Sequence, residues 1–276
     1  MSKALLRLLV LVFIASSALD SRAQGALTIS GTEVFDIVDP ETNSSYRLHI
    51  ALPSGYEGSL NRFPVVYLLD GDWYFTHAVS TARLLEAMRE MRPVILVGIG
   101  YGGSIVDQRS RRLLEFTPIR EESLAGSGNA AAFLNALGKR IIPAVESRYR
   151  TATDRTLVGH SLGGLFATFA MVRGPELFDR VVIGSPALWS SRTSLLAELS
   201  ARVEKGLPLP RRIFVGIASG DFTAIQGDYA VLRAWLKRAP ANVQWSAEEF
   251  ANSTHQSVVP SLLARALPWI LADAPR

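Results

Sequence analysis

The pentapeptide Gly159-His160-Ser161-Leu162-Gly163 has the residue types and spacing that most directly imply chemistry in this chain. Thr156-Leu157-Val158 leads into it as a β-prone apolar run, and Gly164-Leu165-Phe166-Ala167-Thr168-Phe169-Ala170 leads out as a helix. A serine on such a sharp strand-to-helix turn projects its hydroxyl above the sheet edge. Glycines flank it because the neighbouring backbones leave no room for a β-carbon. The helix that follows aims backbone N–H donors and its positive dipole end at the place where an oxyanion would form. Ser161 is therefore the candidate nucleophile.

A neutral serine needs a base within hydrogen-bond reach. The histidines are His49, His77, His160 and His255. His49 reads as part of an early strand. His77 precedes the serine and could line a pocket. The turn directs His160 away from Ser161 and into packing. His255 lies in the polar stretch 251–257, between the last strand and the last helix, and suits the order nucleophile, acid, base. It is the candidate general base. The orienting acid belongs between the two, at a strand end. Asp221 follows the apolar run 213–219 directly, and Asp228 is the alternative; Glu248 and Glu249 fall inside or at the end of the next strand and fit less well. For an oxyanion hole, the N–H of Leu162 needs a second donor from the loop after Val65-Val66-Tyr67-Leu68-Leu69. Asp72 is the expected donor and Gly71 the alternative.

Positioning these groups requires a set of parallel strands. Two alternating segments, 27–39 and 45–53, read as a hairpin around Pro40-Glu41-Thr42-Asn43-Ser44. Continuous apolar runs then recur at 64–70, 93–101, 155–160, 180–185, 211–219 and 243–250. Helical stretches at 75–91, 130–148, 162–173, 194–204, 229–237 and 257–271 follow them. This alternation predicts an α/β fold, a mostly parallel sheet with N-terminal antiparallel strands and helices on both faces. Residues 102–127 break the rhythm. This stretch carries Arg109, Arg111, Arg112 and Arg120 and reads as a functional insertion or lid after a strand end.

Composition narrows the function classes. Of 276 residues, 48% are hydrophobic and 20% charged, as in a globular protein with a real core. The formal net charge of +4, without long basic runs, gives no argument for a nucleic-acid partner. The chain has no cysteine, which excludes disulfides, a thiol nucleophile and cysteine zinc sites. There is no His-Glu-x-x-His motif, and no metal site is expected. At the N-terminus, Lys3 and Arg7 precede the apolar run 8–15, and Ser21-Arg22-Ala23 ends in small residues. That pattern predicts a secretory signal over 1–23, cleavage near Ala23, a periplasmic or secreted product and one domain over 24–276. The apolar run is short for a membrane span, so no stable anchor is expected after cleavage.

Taken together, several motifs resemble the Putative esterase family of α/β-hydrolases. They are Tyr67-Leu68-Leu69-Asp70-Gly71-Asp72, Val97-Gly98-Ile99-Gly100-Tyr101, Ile142-Pro143 with Arg148-Tyr149-Arg150, residues 159–166, Ser185-Pro186-Ala187-Leu188-Trp189, and Thr254-His255-Gln256-Ser257-Val258-Val259-Pro260. The nearest branch is that of periplasmic enterobactin (enterochelin) esterases. The resemblance implies an α/β-hydrolase fold and cofactor-free hydrolysis of a small-molecule ester through Ser161 and His255. It suggests Arg112, Trp73 and Trp189 as substrate contacts, with a catecholate siderophore trilactone as the leading substrate. Two departures stand out: Glu115 occupies a place where the family often has Asp, and Ser190 follows Trp189 where a second Trp is common. The family also contains feruloyl and acetyl esterases, S-formylglutathione hydrolases and mycolyl transferases, so simple acyl or aryl esters and acyl transfer remain alternatives. A non-catalytic binding protein on the same scaffold is the alternative of a different class.

Overall fold

The central strands are continuous apolar runs, and they are buried along their whole length. In the computed structural model, which describes residues 28–122 and 124–272, β3 (Phe63–Leu69), β4 (Ile95–Gly100) and β6 (Arg180–Gly184) are buried at every position. Such strands need cover on both faces. With β1 (Thr32–Asp39), β2 (Ser44–Ala51), β5 (Thr151–His160), β7 (Arg212–Gly220) and β8 (Gln244–Thr254) they form one eight-stranded sheet, ordered β1-β2-β4-β3-β5-β6-β7-β8. β1 pairs antiparallel with β2, and β2 antiparallel with β4; every later pair is parallel.

One face is covered by α1 (Gly71–Ala87) and α8 (Val258–Leu271), which pack on each other and on the sheet. The other carries α5 (Leu162–Arg173), with α2 (Ile105–Phe116), α3 (Ala130–Ala136) and α6 (Arg192–Glu204) against it, and α7 (Thr223–Leu236) beside α6. Buried all round, α5 is the central helix of that layer. This is the α/β-hydrolase architecture. Because β3 to β8 run parallel, residues following β3, β5, β7 and β8 emerge at one sheet edge, where open α/β sheets bind ligands.

Several expected boundaries are corrected. α1 begins at Gly71 rather than 75, because Asp70 takes a left-handed conformation (φ 57, ψ 42) and starts the helix directly from the strand. The stretch 130–148 is not one α-helix: α3 leads into a π turn at Leu137–Ile141 before α4 (Ile142–Arg148). Pro143 cannot donate to the preceding turn, and a widened turn accommodates that loss. The segment 102–127 is not irregular throughout, since it forms α2, started by a capping box between Ser104 and Asp107. The compact unit begins at Gly31. Of the unit before it, only residues 28–30 are described, so the expected signal over 1–23 lies outside the described residues.

Candidate active site

Ser161 sits between β5 and α5 with φ 60 and ψ −118, a conformation that L residues rarely adopt. Its backbone is fixed on both sides. Its N–H donates to the Gly184 carbonyl at 2.9 Å, and its own carbonyl accepts from Leu165 at 3.0 Å and Ala187 at 3.2 Å. The elbow closes so tightly that a Cβ on Gly159 would lie 2.1 Å from the Gly163 carbonyl oxygen. This is the close approach expected of the flanking glycines.

The structure brings Ser161, His255 and Asp221 together. His255 Nε2 lies 2.9 Å from Ser161 Oγ, and His255 Nδ1 lies 2.8 Å from Asp221 Oδ1. A carboxylate only accepts, so Nδ1 carries the proton and Nε2 is free to accept from the serine. The Asp221 side chain is fully buried and that of His255 nearly so. Asp221 leaves β7 at a turn where Oδ1 also accepts from the Phe222 N–H at 2.9 Å. His255 begins a three-residue turn between β8 and α8. Reciprocal bonds close that turn: Thr254 N–H to Ser257 Oγ at 2.8 Å, and Ser257 N–H to Thr254 Oγ1 at 3.3 Å.

Asp228, the alternative acid, has another job. Buried on α7, its carboxylate accepts from the amides of Leu188 (2.9 Å) and Trp189 (3.2 Å) and pairs with Arg192 at 3.1 Å. Burial pushes its carboxyl above the ordinary value against the pull of those partners. It anchors the turn after β6, in which Trp189 is held at φ 47 with its side chain partly exposed.

His160 does enter packing, and its neighbour is His255, the candidate base. The two imidazole centroids are 4.7 Å apart, and Tyr74 Oη lies 3.4 Å from His160 Nδ1 while donating to Gln256 at 3.2 Å. Burial, followed by the nearby His255 and Arg112, pushes His160 down to about 3. Its ring is therefore neutral at any working pH. No sequence signal marks this arrangement, because it depends on α1 and the β8–α8 turn meeting above the elbow.

The other loop reaches the elbow through Asp70 and Gly71. A Cβ on Gly163 would stand 3.5 Å from Asp70 Oδ2, so the β3–α1 corner abuts the start of α5. A Cβ on Gly71 would strike Gly98 at 2.5 Å, which is why glycine stands there. Gly71 and Asp72 are the first residues of α1, and the carbonyl of Asp70 is taken by Trp73 and Tyr74. First-turn amides, including that of Leu162 on α5, have no partner within their own helix. The Asp72 side chain turns the other way. It bonds His49 Nε2 at 3.0 Å and accepts from the amides of Tyr101 (2.7 Å) and Gly102 (3.1 Å). Burial raises its carboxyl, but these hydrogen bonds outweigh it and leave the value below the ordinary one.

The expectation that Arg112 contacts the substrate is corrected. Arg112 is buried, and its guanidinium forks onto Asp70 with bonds of 2.5 and 2.9 Å. It stacks 4.5 Å over the Trp73 ring. Trp73 in turn donates its indole N–H to Gln108 at 2.5 Å, so it braces α1 against α2 and gives one face to Arg112. Arg111 pairs with Glu115 at 2.8 Å, and Glu115 also accepts from Tyr46 at 3.2 Å. Of the four arginines in that stretch, Arg109 and Arg120 are exposed. Among the described residues no group of three or more His, Asp or Glu could hold a metal ion, and no helix is long and apolar enough to cross a membrane.

Comparison with known proteins places the chain in one family. The family model described as "Putative esterase" matches residues 40–266. Ferri-bacillibactin esterase BesA of Bacillus subtilis is 28% identical over 268 residues, covering 89% of this chain and 91% of its own. Siderophore triacetylfusarinine C esterase of Aspergillus fumigatus is 30% identical over 175 residues, 60% of each chain. The crystal structure of an IroE-like serine hydrolase from Shewanella oneidensis superposes with a TM-score of 0.78 at 28% identity, over 87% of this chain and 80% of that one.

Proposed function

Because the chain belongs to the Putative esterase family, we propose that it is a serine esterase that hydrolyses a siderophore ester, with a catecholate trilactone as the leading substrate. The observation that carries the chemistry is the continuous relay Ser161–His255–Asp221, with links of 2.9 and 2.8 Å. In this reading His255 takes the Ser161 proton as Oγ attacks the ester carbonyl, and Asp221 holds the imidazole in the required tautomer and stabilises its cation. The tetrahedral oxyanion accepts hydrogen bonds from the Leu162 amide and from the amide of Asp72 or Gly71. His255 then gives its proton to the leaving alcohol, and water, activated by the same base, releases the acid. Trp189, on the turn whose Ala187 N–H bonds the Ser161 carbonyl, serves as a substrate contact in this reading. Arg112 and Trp73 serve the site indirectly, as the brace beneath the β3–α1 corner. The siderophore class is supported by the named substrates of the relatives, which include ferri-bacillibactin and triacetylfusarinine C.

The N-terminal pattern supports export with cleavage after Ala23, and N-terminal sequencing of the exported protein checks it. For the activity, a fluorophosphonate should label the wild-type chain on one residue and fail on Ser161→Ala, whose turnover should fall on the order of a million-fold. Label on another residue sinks the nucleophile. Product analysis with ferric and iron-free trilactones beside simple acyl and aryl esters tests the substrate, and a preference for the simple esters overturns it.

A further inference from the structure

Phe222 is 65% exposed and stands beside the proposed base, where an apolar ring can meet the substrate. Its ring lies 5.3 Å from the His255 ring, at 56° to it. It follows the acid Asp221 directly, and its backbone is fixed. The Phe222 N–H donates to Asp221 Oδ1 at 2.9 Å, and its carbonyl accepts the Gln226 N–H at 2.9 Å as α7 begins. The turn carrying Trp189 also bonds to Ser161, through the Ala187 N–H to its carbonyl, and Asp228 holds Trp189 in a strained conformation. Two exposed aromatic residues therefore stand after β7 and β6, each with its backbone N–H held by a buried carboxylate. A backbone fixed in advance lowers the ordering cost of binding a planar partner. Strain retained at such a place marks function.

We propose that Phe222 is a specificity-determining residue, a stacking platform beside His255 that receives a planar aryl group of the ester, with Trp189 as a second aromatic wall. The inference rests on the reading of the chain as an esterase for aryl-bearing siderophores. An aromatic pair contributes ~0.5–1.5 kcal/mol beyond its buried area, which corresponds to up to about tenfold in kcat/KM.

The test compares N-(2,3-dihydroxybenzoyl)-L-serine methyl ester with N-acetyl-L-serine methyl ester, which share the scissile ester and differ in the aryl arm. The readout is the ratio of their kcat/KM values. In Phe222→Ala that ratio should fall about two- to tenfold, mainly through KM for the aryl compound, and Phe222→Tyr should restore it. If Phe222→Ala lowers both substrates alike and keeps the ratio, Phe222 only supports His255 and the platform is overturned, while a wild-type aryl preference still stands for the substrate class. A wild-type enzyme that hydrolyses both esters but shows no aryl preference overturns the platform and the aryl substrate class together. Hydrolysis of neither ester by the wild type has the same consequence.

Discussion

At the residue scale, His160 shows how little the identity of a side chain says without its surroundings. Beside Ser161 in sequence, it is an imidazole buried against the imidazole of the base, with Arg112 adding positive charge nearby. Its value of about 3 in the fold, against 6.5 for the free side chain, has a definite sign for stability. Between those values the unfolded chain binds a proton that the native chain does not. Its contribution is thus complete above about pH 6.5 and is lost as pH falls, by up to about 1.4 kcal/mol per pH unit. His160→Phe should flatten the acid side of a plot of urea midpoint against pH. An unchanged slope would mean that His160 is not held neutral. The residues that the fold gathers at the elbow were legible in the sequence because glycine spacing, chain order and strand ends constrain them, as for Ser161 and His255. Asp221 and Asp228 could not be separated there, since both follow the same strand. Only the fold shows one facing His255 and the other facing the amides of Leu188 and Trp189.

At the scale of elements, α2 is the part that sequence periodicity misread. Its arginines suggested a functional insertion or lid, whereas two of them are tied into the fold: Arg112 to Asp70 at the end of β3, and Arg111 to Glu115 on α2 itself, which also holds Tyr46 of β2. Hydropathy alone cannot reveal a buried charge whose partner is 42 residues away. The Ser104–Asp107 cap was the readable signal. Burial pushes the Asp70 carboxyl up, and the Arg112 charge and hydrogen bonds work against it. Removing one partner of such a pair costs about 3–5 kcal/mol, because it leaves a buried charge uncompensated. Arg112→Met should lower Tm by roughly 10 °C, at about 2–4 °C per kcal/mol for a domain of this size. Asp70→Asn in the same chain should recover much of that loss. A substrate-facing arginine would instead leave Tm nearly unchanged and raise KM, so calorimetry beside kinetics separates the two roles.

At the scale of the whole molecule, the parallel sheet with its antiparallel N-terminal strands was readable from continuous apolar runs alternating with helices, and the register that gathers the site was not. That gathering has a consequence for how the protein loses activity. The proposed nucleophile follows β5 inside the sheet, whereas the proposed base follows β8, a terminal strand that pairs with β7 alone. β8 is mostly half-exposed or exposed along its length, unlike the wholly buried β3, β4 and β6. Edge elements open locally at lower free energy than the strands they border. On warming, esterase activity should therefore fall at a lower temperature than the circular-dichroism transition. Amides of β8 should exchange hydrogen before those of β3 to β6. Coincident loss of activity and structure would show that β8 opens only with the whole. If the losses separate, thermal inactivation is a local event, in which the sheet survives with its serine in place and its base detached.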